Sequence, residues 1–132
     1  MEVGVLDYDG HRLALGAPLA PNVNDKGCAF GGSITGLMTL TAWGLIQLKL
    51  GASGLDAEVF VADSSVSYQS PVWDALVAEA FVEPGQDWDA FLALLQSEGK
   101  AQITLVSEIA AAQGGGVAAK MFARFVAKRA EG

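Results

Sequence analysis

The sequence predicts an α+β fold in which one long central helix is wrapped by an antiparallel sheet. Two observations carry this. First, no charged residue occurs from Gly27 to Leu48, and Phe30, Ile34, Leu37, Met38, Thr41, Leu45 and Leu48 fall at the i, i+3, i+4, i+7 spacing of one helix face. Second, the segments downstream alternate apolar and polar residues, which gives each of them a single apolar face.

The helix is apolar on its other side as well, where Leu40, Trp43 and Ile46 lie with Thr35, Thr39 and Ala42. A helix apolar all round is one that protein or membrane surrounds. The run reaches the length of a membrane span, and Gly32 to Gly36 matches a small-xxx-small contact. Five glycines and four hydroxyl residues dilute it, however, and no cluster of Lys or Arg flanks it, so burial within protein is expected. Asn24 and Asp25 are natural N-caps. Gly31 and Gly32 allow close approach to the first turn, where unpaired N–H groups favour negative charge.

The remaining elements follow in order. Val3 to Tyr8 and Arg12 to Leu19 are extended around an Asp9-Gly10 turn, which makes an opening hairpin ended by Pro18 and Pro21. Gly51 and Gly54 close the helix. Val59 to Gln69 reads as a strand with Phe60, Ala62, Ser64, Val66 and Tyr68 facing inward, and Pro71 ends it. Leu76 to Glu83 places Leu76, Ala78, Ala80 and Val82 inward before the Pro84-Gly85 turn. Asp87 caps a short helix with Trp88, Phe91, Leu92 and Leu95 on one face, and Gly99 ends it. In the last two strands, Ala101, Ile103, Leu105 and Ile109, then Ala119, Met121, Ala123 and Phe125, face inward. A curved sheet around one helix, the hotdog type, is the economical arrangement.

At 132 residues the chain is expected to be one domain, residues 1–132. With 52% hydrophobic and 17% charged residues, so small a monomer leaves apolar surface, which points to a homodimer or homotetramer. The net charge of −7 argues against nucleic acid and anionic membrane surfaces as partners. One cysteine, Cys28, excludes an internal disulfide, and the acidic start resembles no signal peptide; a cytoplasmic location is expected. A lone His11 and Cys28 form no zinc spacing, so no metal is expected.

The string from Leu19 to Gly27 followed by Phe30-Gly31-Gly32-Ser33 resembles the hotdog-fold thioesterases, most closely the YiiD C-terminal-like family. Val61 to Tyr68 before Pro71-Val72 is similar to that family's second strand. The resemblance implies a thioesterase acting on an acyl-CoA or acyl-carrier-protein thioester. CoA or phosphopantetheine enters only as part of the substrate, with no separate cofactor, and the site lies between the helix of one subunit and its partner. It also implies a polar residue at Asn24 and an oxyanion-binding N–H near Gly31. Two positions depart from the family pattern: Phe30 stands where many members have His, and Thr39 where many have an acid. A weakly catalytic or non-catalytic acyl-thioester binding or assembly domain is the competing reading.

Thioester hydrolysis needs a carboxylate to activate water and donors for the oxyanion. Asp25 is the nearest acid, with Asn24 able to orient water or the carbonyl; both also serve as caps. Asp63 falls on the outward side of its strand by parity. Phe30, Gly32, Ser33, Ser64 and Tyr68 are expected to line the acyl site with Gly31. Lys120, Arg124 and Lys128 share one strand face, and Lys120 and Arg124 are candidates for the phosphates of CoA or a carrier protein, against the alternative of a solvated outer face. Cys28 is read as a packed residue and His11 as a surface one.

Overall fold

The computed structural model describes residues 2–19, 31–72, 75–110 and 116–130. Six strands form one antiparallel sheet: β1 (Gly4–Tyr8), β2 (Leu13–Ala17), β3 (Ala57–Tyr68), β4 (Leu76–Val82), β5 (Lys100–Ala110) and β6 (Val117–Arg129), in the order β1-β2-β4-β5-β6-β3. The long helix α1 (Gly31–Ala52) packs on the inner face, and the short helix α2 (Trp88–Glu98) follows β4 and packs on β5 and β6. This is the hotdog fold. The opening hairpin joins the same sheet as its outermost pair.

Local chemistry ends several elements close to where expected, although Gly51, expected to help close α1, lies inside it. At the β1–β2 turn the Asp9 carboxylate accepts the backbone N–H of Arg12 (2.7 Å) and of His11 (2.8 Å), which holds its pKa below 3.8. The contribution of this turn is therefore present above that value and lost as pH falls through the lowered pKa. α1 closes in a Schellman motif, with Leu55 N–H donating to the Leu50 carbonyl (2.9 Å), Gly54 N–H to Gly51 (3.2 Å), and Gly54 at φ +69°. Asp87 caps α2 by accepting the Asp89 N–H (2.9 Å), and Gly99 at φ +77° ends it.

The core lies between α1 and the inner sheet face. Ile34, Leu37, Met38, Ala42, Leu45, Ile46 and Leu50 are buried against it. Alanines at 78 and 80 on β4 and at 119, 123 and 127 on β6 are buried beneath them, and their small volume lets the helix sit close to the sheet. Among the described residues two hydroxyls are fully buried, and both are satisfied: Thr41 donates to the Leu37 carbonyl (2.6 Å), and Ser107 on β5 donates to the Met38 carbonyl (2.8 Å). The second bond ties the sheet to the middle of α1.

The structure corrects three readings. A register shift between Val61 and Asp63, at Ala62, makes β3 a bulged strand against β6. Phe60 therefore pairs with Val126 on the outer face, and Val61 pairs with Phe125 on the inner one. Ser64, Val66 and Tyr68 remain inward beyond the bulge, because one extra residue reverses the parity of everything before it. Leu48, read as part of the buried helix face, is 41% exposed. Leu37 nearly eclipses it along the helix (i, i+11) yet is buried, so burial follows what stands opposite rather than the period alone. The far side of α1 is also not fully surrounded by the described residues, with Leu40 and Trp43 exposed, although Ile46 is buried.

Leu45→Ala is expected to cost ~2–5 kcal/mol in chemical denaturation, since Leu45 is fully buried at the helix–sheet contact. Leu94→Ala, on the exposed side of α2, is expected to cost about 0.5 kcal/mol or less.

Candidate active site at the start of the central helix

The described part of α1 opens with Gly31 and Gly32. Gly32 is exposed, and a Cβ added there meets nothing within 4 Å. The first turn thus presents backbone rather than side chain to whatever approaches. Across from it lies the end of β3, whose inner face beyond the bulge carries Ser64, Val66 and Tyr68.

A hydroxyl contact joins the two elements. The Tyr68 phenol, 54% exposed, shares a hydrogen bond with the Thr35 hydroxyl, one turn into the described helix. Thr39, one turn further, donates from Oγ1 to the Thr35 carbonyl (2.8 Å) and also lies within reach of Met121 Sδ on β6 (3.6 Å). Gly32, Thr35 and Tyr68 are therefore brought to one end of the fold, with half-buried Ser33 on the same first turn. Ser64, exposed on the inner side of β3, lies one strand period before Val66. Asn24, Asp25, Cys28 and Phe30 lie outside the described residues.

The basic candidates lie elsewhere. Lys120 and Arg124 are on the outer face of β6, opposite to the face that carries Ala119, Met121 and Ala123 against the helix. Lys120 pairs with Glu108 (3.6 Å). Arg124 donates through Nε (3.1 Å) and Nη2 (2.5 Å) to Asp63 Oδ2 and through Nη1 to Gln102 Oε1 (2.8 Å). Asp63 is thus the outward partner of an arginine. Within one chain, neither basic residue joins Gly32 and Tyr68.

Among the described residues no group of three or more His, Cys, Asp and Glu side chains could hold a metal ion, and no helix is long and apolar enough to cross a membrane. In the sequence, Thr35 reads only as part of the helix's other side and not as a site residue, although its i, i+4 relation to Thr39 marks a hydroxyl stripe on the helix. Trp43 is a second such residue. Its indole N–H donates to the Val59 carbonyl on the edge strand β3 (3.2 Å), which anchors an otherwise exposed ring.

A helix wrapped by this sheet, opening on paired glycines, directs attention to one family. The family model described as "Putative thioesterase (yiiD_Cterm)" matches residues 1–129. The chain belongs to this family. Among solved structures, a protein of unknown function from Chlorobaculum tepidum is similar at 26% identity, with a TM-score of 0.92 over 98% of this chain and 84% of that one. A protein from Shewanella oneidensis described as a "putative thioesterase" is similar at 29% identity, with a TM-score of 0.85 over 97% and 85% of the two chains. A Pseudomonas aeruginosa protein at 18% identity and a TM-score of 0.77, over 97% and 83%, shares the fold. Membership of the YiiD C-terminal family supports thioesterase activity in general terms.

Because a Cβ added at Gly32 meets no described atom within 4 Å and valine has the better helix propensity, Gly32→Val is expected to fold and to melt at or above the parent temperature. A fall of several degrees in thermal denaturation would contradict an open first turn.

Proposed function

We propose that the protein hydrolyses an acyl-CoA or acyl-carrier-protein thioester at the first turn of α1. The observation that carries this reading is the exposed Gly32 backbone beside the Thr35–Tyr68 hydroxyl pair, in a chain that belongs to a family described as a putative thioesterase.

In this mechanism, Asp25 takes a proton from water, with Asn24 orienting that water, and the water oxygen attacks the thioester carbonyl carbon. Backbone N–H near Gly31 holds the oxyanion that forms. As the tetrahedral intermediate collapses, the C–S bond breaks and the proton held by Asp25 passes to the leaving thiolate, leaving a carboxylic acid and a free thiol. Ser33, Ser64 and Tyr68 border the thioester and its pantetheine arm, and Phe30 packs against the acyl group. Lys120 and Arg124 receive carrier phosphates in this scheme only when Glu108 and Asp63 release them.

The proposed assembly is a homodimer or homotetramer, in which a second copy completes the site. The place of β3 as the last strand of the described sheet and the exposed Phe60, Val61 and Tyr68 on it support this assembly. A binding or assembly role without efficient catalysis is the second reading. The observation favouring it is Thr39, whose hydroxyl is bonded to its own helix and supplies no base at the position where many relatives carry an acid.

Asp25→Asn preserves a capping side chain and removes the base, so thiol release from acyl-CoA should fall by ~10²- to 10⁴-fold. Parent-level turnover in the folded variant would make Asp25 a cap only. Sedimentation at micromolar concentration is expected to give a dimer or larger species, and a stable monomer would remove the shared-site scheme.

A further inference from the structure

The hairpin and the far side of α1 enclose an apolar groove of about 590 Å³, within the range of small-molecule sites. Leu13 and Leu15 on β2 form its floor, and Val5 and Tyr8 on β1 rise on one side. Leu40, Trp43 and Leu48 of α1 form the other side. These wall residues are unusually open for their size: Val5 is 71% exposed, and Leu40 and Trp43 are 38% and 40% exposed. No described residue that lines the groove carries a charge, in a chain with 23 charged side chains (15 acidic, 8 basic).

Part of the groove's helix wall shares a helix face with the first turn. Gly32, Gly36, Leu40, Trp43 and Gln47 recur at i, i+4, i+8, i+11 and i+15, which sets them on one face. The rise from Gly32 to Trp43 is roughly 16 Å at 1.5 Å per residue. The first two positions on this face are glycines. The Trp43 ring is held in place by its bond to the Val59 carbonyl, so this wall is organised before any ligand arrives.

We infer that this groove holds the distal part of a medium-length linear acyl chain, and that Val5, Tyr8, Leu40, Trp43 and Leu48 set the chain length accepted. The inference rests on the thioesterase reading for the position of the carbonyl. An uncharged trough matches a hydrocarbon tail, whereas a peptide or nucleotide would leave its polar groups unpaired there. The concave form, with side chains on both sides and a buried floor, also suits a chain better than a flat protein face.

The test uses the full chain with acetyl-, hexanoyl-, decanoyl- and palmitoyl-CoA, and two groove-filling variants on different elements, Leu40→Trp and Val5→Trp. The parent should favour decanoyl over acetyl in kcat/KM, and each variant should lower that ratio by about tenfold or more. Quenching of Trp43 emission by brominated decanoate reads the groove without any chemistry, with Trp43→Phe as the control. Quenching that the control abolishes supports the groove even when no ester is hydrolysed, an outcome that would reject the proposed reaction instead. An unchanged acyl profile in both folded variants, or no quenching specific to Trp43, overturns the inference. A shift of both variants to a smaller species in sedimentation also overturns it, because the occupant is then a second copy of the chain.

Discussion

The structure depends on how an uncharged helix is covered. From Gly31 to Leu48 α1 has no side chain that gains from meeting water as an ion, so its position is decided by which faces find apolar cover. The inner sheet face supplies that cover for Leu37, Met38, Leu45 and Ile46. Small alanines on β4 and β6 set the separation, and the bond from Ser107 to the Met38 carbonyl fixes the depth.

The same constraint leaves one side of the helix unfinished. Leu40, Trp43 and Leu48 keep large exposed areas, and Gly32 is exposed at the first turn. An enzyme that acts on acyl thioesters has a use for this imbalance. Backbone donors at a helix start suit a developing oxyanion, and an apolar face running away from them suits the tail. The basic side chains, by contrast, are engaged with acids on the outer face, where exposed ion pairs contribute little to stability and keep the sheet surface solvated.

Much of this was legible in the sequence, for identifiable reasons. The period-two alternation of β4, β5 and β6 and the caps at Asp87, Gly54 and Gly99 are local signals, and the structure follows them. The bulge at Ala62 is not local. Val61-Ala62-Asp63 contains neither Gly nor Pro, and only the register against β6 reveals the extra residue. The uncovered side of α1 was equally hidden, because a helix apolar on every face gives no amphipathic signal to orient it. At the site, the paired glycines announced an approachable backbone, whereas the Thr35–Tyr68 contact requires the two elements to be placed first. Asn24, Asp25 and Phe30 stand on the sequence argument and the resemblance alone.

The most direct measurement of the central claim, that the open face of α1 is the substrate side, is hydrogen–deuterium exchange with and without a non-hydrolysable thioether analogue of decanoyl-CoA. The account predicts slowed exchange at the start of α1, at the end of β3 around Tyr68 and in the β1–β2 hairpin. Protection confined to peptides from β5 and β6, with the helix start and hairpin unchanged, would contradict it.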